Sequence, residues 1–152
     1  MRAGVPVTVV PGVTSAVAGP AAAGIPVTHR GVAADFAVVS GHVEPFPSGG
    51  RSGTGSVIDW QALADGPATL VLLMALDPVG AAAAELVKRG RPGSTPVAVV
   101  RSATLPDQQV LVATLDTVAA AVAEAGLRPP AVVVVGDVVG LRDRLWAGSP
   151  PP

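Results

Sequence analysis

The sequence predicts an α/β fold with a sheet covered on both faces, and three observations carry that prediction. Apolar, β-branched runs of strand length recur at residues 5–10, 36–40, 69–76, 96–101, 110–115 and 131–139. Most are near-continuous rather than alternating, which is the pattern of strands buried on both sides. Ala-rich stretches bearing helix start and stop signals lie between several of them, and strands alternating with helices imply α/β.

Taken in order, the first run, VPVTVV, ends in Pro11-Gly12, and Thr14-Ser15 then opens a small-residue helix. A strand that breaks into a Pro-Gly turn and restarts as a helix is how an α/β protein presents a ligand-binding edge. Thr14 and Ser15 stand where the first amides of a helix lack partners, so their hydroxyls serve either as caps or as ligand contacts, and the residues alone leave both open. The second run, FAVVS, is followed by PFPSGGRSGTGS at 45–56, rich in Pro, Gly and Ser and without a period. Such a stretch predicts a mobile surface loop, as a linker or as an active-site lid. The third run, TLVLLMAL, carries Met74 near its end. Met commonly fills core gaps, but strand ends in α/β sheets also line crevices.

Asp77 and Pro78 at a first turn, Lys88 and Arg89 in a last turn and Gly90 just beyond predict a helix between the third and fourth runs. The fourth and fifth runs follow, and a second helix over 116–125 starts on the Asp116 carboxylate, which can cap free amides, and ends before Gly126. The sixth run, AVVVVGDVV, precedes a tail, GSPPP, expected to fray. No internal repeat is present.

Composition narrows the function. With 152 residues and 49% hydrophobic residues the chain fits one domain of ordinary size. Ten Lys and Arg against eleven Asp and Glu leave a net charge of −1, with no run of like charge, which argues against nucleic acid as a partner. The absence of Cys excludes disulfides and thiolate chemistry and fits a reducing cytoplasm. No stretch approaches the roughly 20 apolar residues that span a bilayer, and no signal-peptide pattern opens the chain, so a soluble, cytoplasmic protein without a membrane partner is expected. There is no dinucleotide fingerprint, phosphate loop, zinc-protease motif or nucleophile elbow. His29 and His42 are too few for most histidine metal sites and read first as structural hydrogen-bonding groups. Arg30, after GIPVTH, is either a surface charge or a fork for a carboxylate.

Read together, the segments VVPGVTSA, AGIPVTHRG, FAVVSGH, DWQALA, TLVLLMAL, TPVAVV followed by Ala-Thr and a Gln, and PAVVVVGDVVGLRDRLW resemble the tetrapyrrole methylase family, in family order from about residue 5 to 146. Within it they are most similar to the branch that C-methylates uroporphyrinogen III. The resemblance implies a two-domain α/β enzyme that binds S-adenosylmethionine in the cleft between its domains. It transfers methyl groups to carbons of a reduced tetrapyrrole, giving precorrin-2 on the route to sirohaem or cobalamin. It further implies that Thr14 and Ser15 match the family's pair at the cofactor, that Met74 and Ala103 are further contacts, that Gly136 is a weaker contact in the same pocket, and that Arg30 meets a substrate carboxylate. Where the family commonly has Met-Gly and Gly-Thr, this chain has Met74-Ala75 and Ala103-Thr104, so two positions of close backbone approach carry a methyl.

The domain reading that the resemblance implies is a remnant of an N-terminal domain at 1–24, its last strand and helix, a complete second domain at 25–148 and a disordered tail at 149–152. The chain resembles the C-terminal part of the enzyme. It is therefore expected to hold half of the cleft, to show little or no activity alone, and to work joined to or associated with an N-terminal half, or as a homo-oligomer. The alternative is a non-catalytic binding or assembly module that pairs with a full-length or N-terminal-half methyltransferase.

Overall fold

The structure, a computed structural model that describes residues 4–41 and 58–145, gathers the apolar runs into one five-stranded mixed sheet. The strands are β1 (Phe36–Ser40), β2 (Thr69–Leu73), β3 (Pro96–Arg101), β4 (Gln109–Thr114) and β5 (Ala131–Val135), lying side by side as β1-β2-β5-β3-β4. β1 and β2 are parallel, β5 is antiparallel to both β2 and β3, and β4 is antiparallel to β3. β1, β2 and β3 therefore point the same way, and their carboxyl ends share one end of the sheet. The helices are α1 (Ser15–Ala22), α2 (Trp60–Asp65), α3 (Val79–Lys88), α4 (Val118–Ala125) and α5 (Arg142–Leu145), with a 3-10 turn over Asp137–Leu141.

Both faces of the three central strands are covered, as the near-continuous runs predict. Leu70, Leu72, Val97, Val99, Val133 and Val135 face one way and pack with Trp60, Leu86 and Val118 of α2, α3 and α4. Val71, Ala98, Val100, Val132 and Val134 face the other, beneath Ala16 of α1, Ile25 and the 3-10 residues Val138, Val139 and Leu141. Each such Val or Leu contributes roughly 1.5–3 kcal/mol on burial, so the two layers together hold the sheet. The edge strand β1 alternates instead, with Phe36 and Val38 exposed and Ala37 and Val39 turned to the core.

β1, β3 and α3 lie where the sequence puts them, with Lys88 in the last turn of α3 and Gly90 at φ +106 beyond it. Four expectations need correction. Residues 5–10 form no strand, and Val5, Val7, Val9 and Val10 are exposed, because a strand needs a neighbour for its amides and neither edge of this sheet receives it. The run at 69–76 stops at Leu73, where Met74 takes φ 54. The run at 131–139 breaks at Gly136, φ 140 and ψ 168, and continues as the 3-10 turn. Asp116 does not cap α4. The helix opens at Val118 behind Thr117, which makes no side-chain cap, and the Thr117 Oγ1 accepts instead from the Thr114 amide at 3.0 Å. At its far end α4 terminates at Gly126 in the left-handed conformation, as expected. The loop at 45–56, His42 and the tail at 149–152 lie outside the described residues.

Candidate functional site

Three non-glycine residues among those described have positive φ: Met74 at 54°, Ser102 at 47° and Thr104 at 70°. All three follow the carboxyl ends of β2 and β3. Each costs about 1–3 kcal/mol and persists where the surroundings over-determine it, a situation that clusters at ligand sites. The same end holds Gly41, which follows β1 and donates its amide to the Leu73 carbonyl at 2.6 Å, and the start of β5 at Ala131. In open α/β sheets the crevice beyond the strands' carboxyl ends is where ligands bind.

Onto this end α1 is laid across the strands. Thr14 is its N-cap, with Oγ1 accepting from the Ala16 amide at 3.2 Å. Ala16 packs with Val71 and Val132. One turn on, Gly19 permits close approach, since a Cβ there would lie 3.3 Å from Val132 Cγ2 and 3.8 Å from Ala103 Cβ. The helix thus starts over β2 and β5 and ends at the β3–β4 turn. Met74 and Ala103 lie beyond the carboxyl ends of β2 and β3, Thr14 and Ser15 open the helix whose Ala16 packs on Val71 and Val132, and Thr14, Ser15 and Met74 are exposed. The cap uses one lone pair of the Thr14 hydroxyl and leaves its hydrogen and second lone pair for another partner, so capping and ligand contact are compatible.

The turn that carries Ala103 is held by its own far side. Asp107 accepts from Ser102 Oγ at 3.3 Å and from the Arg101 guanidinium at 3.0 Å, and that guanidinium holds the Asp107 carboxyl below its ordinary pKa. Gln108 Oε1 accepts from the Thr104 amide at 2.8 Å, while its Nε2 donates to the Ala22 carbonyl of α1 at 3.1 Å.

Gly136 is not brought to these residues. It follows the last residue of β5, so the five-residue strand, at roughly 3.3 Å per residue, sets it about 17 Å from the Met74 end. There its amide donates to the Pro96 carbonyl at 2.9 Å, and a Cβ would lie 2.5 Å from the Ala68 carbonyl oxygen. A separate groove at that end includes Arg91, Ser94, Thr95 and Asp137. The Arg91 guanidinium is buried and donates to the carbonyls of Leu63, Pro67 and Ala68 at 3.0, 3.2 and 3.0 Å. Burial lowers its pKa, and the nearby Asp137 carboxylate opposes that shift.

Arg30 is exposed on the turn from Thr28 to Ala34, which forms a shallow groove of its own. That turn is closed by a reciprocal pair of backbone hydrogen bonds between His29 and Ala33, each N–H donating to the other's carbonyl at 2.9 Å, and the His29 ring Nδ1 lies 2.9 Å from the Arg30 carbonyl oxygen. Ala75 is wholly buried, and its methyl faces the position a Gly41 side chain would take, so the first of the two added methyls is turned into the core. Sequence reasoning passed over Gly19, Gly41, Val132 and Gln108. A glycine inside a helical pattern was the one legible sign, since it marks a close packing approach.

No group of three His, Cys, Asp or Glu that could hold a metal occurs among the described residues, and no helix among them is long and apolar enough to cross a membrane.

Residues 1–119 match the family described as Tetrapyrrole (Corrin/Porphyrin) Methylases. The S-adenosyl-L-methionine-dependent uroporphyrinogen III methyltransferase of Methanosarcina barkeri is 45% identical over 137 residues, 90% of this chain and 51% of the relative. The uroporphyrinogen-III C-methyltransferase of a Sinorhizobium species is 44% identical over 146 residues, 95% and 50% of the two chains. The siroheme synthase of Methylococcus capsulatus is 41% identical over 150 residues, 98% of this chain and 30% of its own. Among solved structures, uroporphyrin-III C-methyl transferase from Thermus thermophilus complexed with S-adenyl homocysteine superposes with a TM-score of 0.70 at 38% identity, covering 92% of this chain and 57% of that one. The chain spans about half the length, or less, of the curated relatives it matches.

Proposed function

This chain belongs to the tetrapyrrole methylase family, and on that premise we propose that it forms one wall of an S-adenosylmethionine cleft and serves the C-methylation of uroporphyrinogen III, toward precorrin-2 on the sirohaem or cobalamin route. The observation that carries this reading is the strained backbone at Met74 and at Ser102 and Thr104, at the carboxyl ends of β2 and β3 with the start of β5 between them, and α1 running from over β2 and β5 to the β3–β4 turn. Thr14, Ser15, Met74 and Ala103 are the residues assigned to the cofactor. Gly136, at the other end of the sheet, is left to a backbone role. Arg30 is assigned to a carboxylate of the tetrapyrrole.

The residues present fit that group. The Ala75 methyl is spent on the core beside Gly41, so Met74-Ala75 leaves the crevice as open as a glycine would. The Met74 side chain, 63% exposed, offers a soft apolar surface. S-adenosylmethionine supplies, when bound, an already electrophilic methyl. A reduced pyrrole carbon is electron-rich, so the work left to the protein is orientation, exclusion of water and a path for the proton lost afterwards. A misplacement of about 1 Å costs on the order of a hundredfold in rate, so one wall of a cleft gives little turnover alone.

In this reading residues 1–24 belong to a first domain and 25–148 to a second, the cleft is completed by an N-terminal half or by a second subunit, and the protein works in the cytoplasm. The exposed Val5, Val7, Val9, Val10 and Val13 also suit a non-catalytic assembly module, which is the second reading.

Titration of S-adenosylhomocysteine into the isotope-labelled chain, followed by amide shifts, tests the site. Shifts are expected at residues 14–16, Met74 and Ala103, with a dissociation constant of about a millimolar or weaker. No shift there, even with an N-terminal half supplied, refutes it. Methyl transfer to uroporphyrinogen III by the two halves together, and by neither alone, separates the enzyme from the assembly module.

A further inference from the structure

The carbonyl of Ala22, at the end of α1, is left without the usual helical donors, because Pro26, four positions on, carries no N–H and Ile25, three positions on, donates to the Pro20 carbonyl instead. Its partner is the Gln108 side chain, 86 residues away in sequence. The other end of the same amide accepts from the Thr104 N–H at 2.8 Å. Both partners are unambiguous, one a donor and one an acceptor, so the orientation of the amide is set. Ala103 sits between two residues of positive φ, a conformation the chain does not choose unaided, and Gly19 of α1 approaches Ala103 on its other side.

We propose that Gln108 is a positioning residue: its single amide fastens the strained Ala103 turn to the end of α1, so that the two sides of the crevice keep one spacing before a ligand arrives. This rests on the cofactor reading above, in which α1 carries Thr14 and Ser15 and the turn carries Ala103. Preorganisation of this kind strengthens binding by removing an ordering cost rather than by adding a contact. Gln108 itself need not touch the ligand.

Two variants separate its two bonds. Gln108→Met keeps the length of the side chain and loses both; Gln108→Glu keeps an acceptor for Thr104 and loses the donor to Ala22. In the absence of ligand, the Thr104 amide is expected to exchange with solvent about tenfold or more faster in Gln108→Met than in the starting chain, and at nearly the starting rate in Gln108→Glu. Equal exchange in all three proteins overturns the latch.

The affinity for S-adenosylhomocysteine is expected to fall by about tenfold in Gln108→Met, with Gln108→Glu between, while amide spectra report the same fold. If the starting chain binds and Gln108→Met binds equally well, the positioning role is wrong and the cofactor site stands. If the starting chain does not bind with an N-terminal half supplied, the cofactor reading fails and takes the positioning role with it, whatever the exchange rates.

Discussion

Replacing Gly136 by Ala tests whether this glycine is a backbone necessity or a wall of the ligand crevice. Two penalties act on the new Cβ. Gly136 sits at φ 140 and ψ 168, a region open essentially to glycine only, which costs about 1–3 kcal/mol for any other residue. The Cβ would also lie 2.5 Å from the Ala68 carbonyl oxygen, far inside ordinary contact. That neighbour is backbone next to buried β2, so it yields only by moving the strand, a distortion of the size seen in overpacked cores, about 1–3 kcal/mol. The expected total is about 2–6 kcal/mol. Gly126→Ala is the control, since Gly126 also has positive φ, at 60°, but nothing within 4 Å of a Cβ. It should lose only the left-handed penalty, about 1–2 kcal/mol. At this chain length about 2–4 °C of Tm accompanies each kcal/mol, so thermal unfolding should place Gly136→Ala well below Gly126→Ala. A Gly136→Ala chain no less stable than Gly126→Ala would refute the geometry. A stable Gly136→Ala chain that had lost S-adenosylhomocysteine binding would restore Gly136 to the pocket.

Met74→Gly removes a left-handed strain of about 1–3 kcal/mol against an unfolded-chain entropy cost of about 0.4–1 kcal/mol, and should raise Tm while weakening S-adenosylhomocysteine binding; a stability loss with binding intact would contradict the assignment. Arg91→Lys keeps the charge but cannot reach three carbonyls in one plane, and should cost about 2–4 kcal/mol in urea unfolding, with an unchanged midpoint counting against the role given to it. Asp107 has a folded pKa below its ordinary 3.8, so its contribution is in place above that value and is lost as pH falls through the lower, folded one. A carboxyl titration followed by NMR should show a midpoint below the ordinary value that rises in Arg101→Met; an equal midpoint in the two proteins would rule the pairing out.

What the sequence disclosed is uneven for physical reasons. β3 and α3 were legible because their signals are local: a β-branched run between Pro96 and Arg101, and Pro78 and Gly90 at the helix ends. The run at 5–10 has the same local signal and fails, because strand formation is settled by a partner, and the signal does not say whether one is present. The order β1-β2-β5-β3-β4 was beyond reach for the same reason, since strands pair across long sequence separations. At the candidate site, Met74 and Thr14 stood out by type and position. Gln108 did not, because its two partners, Thr104 and Ala22, are joined only by the fold. Gly136 was drawn into the pocket through resemblance, and only the direction of β5 places it at the far end.

The position of β5 sets a schedule for the newborn chain. β2 and β3 do not pair with each other; the strand that unites them is the last of the five to be synthesised. Until Ala131–Val135 leaves the ribosome, β1-β2 and β3-β4 can exist only as two half-sheets, each with an apolar edge left open where β5 will go. Open edges of that composition invite pairing with other chains, and long-range closure is slow. The sheet can close only once Ala131–Val135 is available, so the rate of folding should be limited by the docking of β5 rather than by any of the helices.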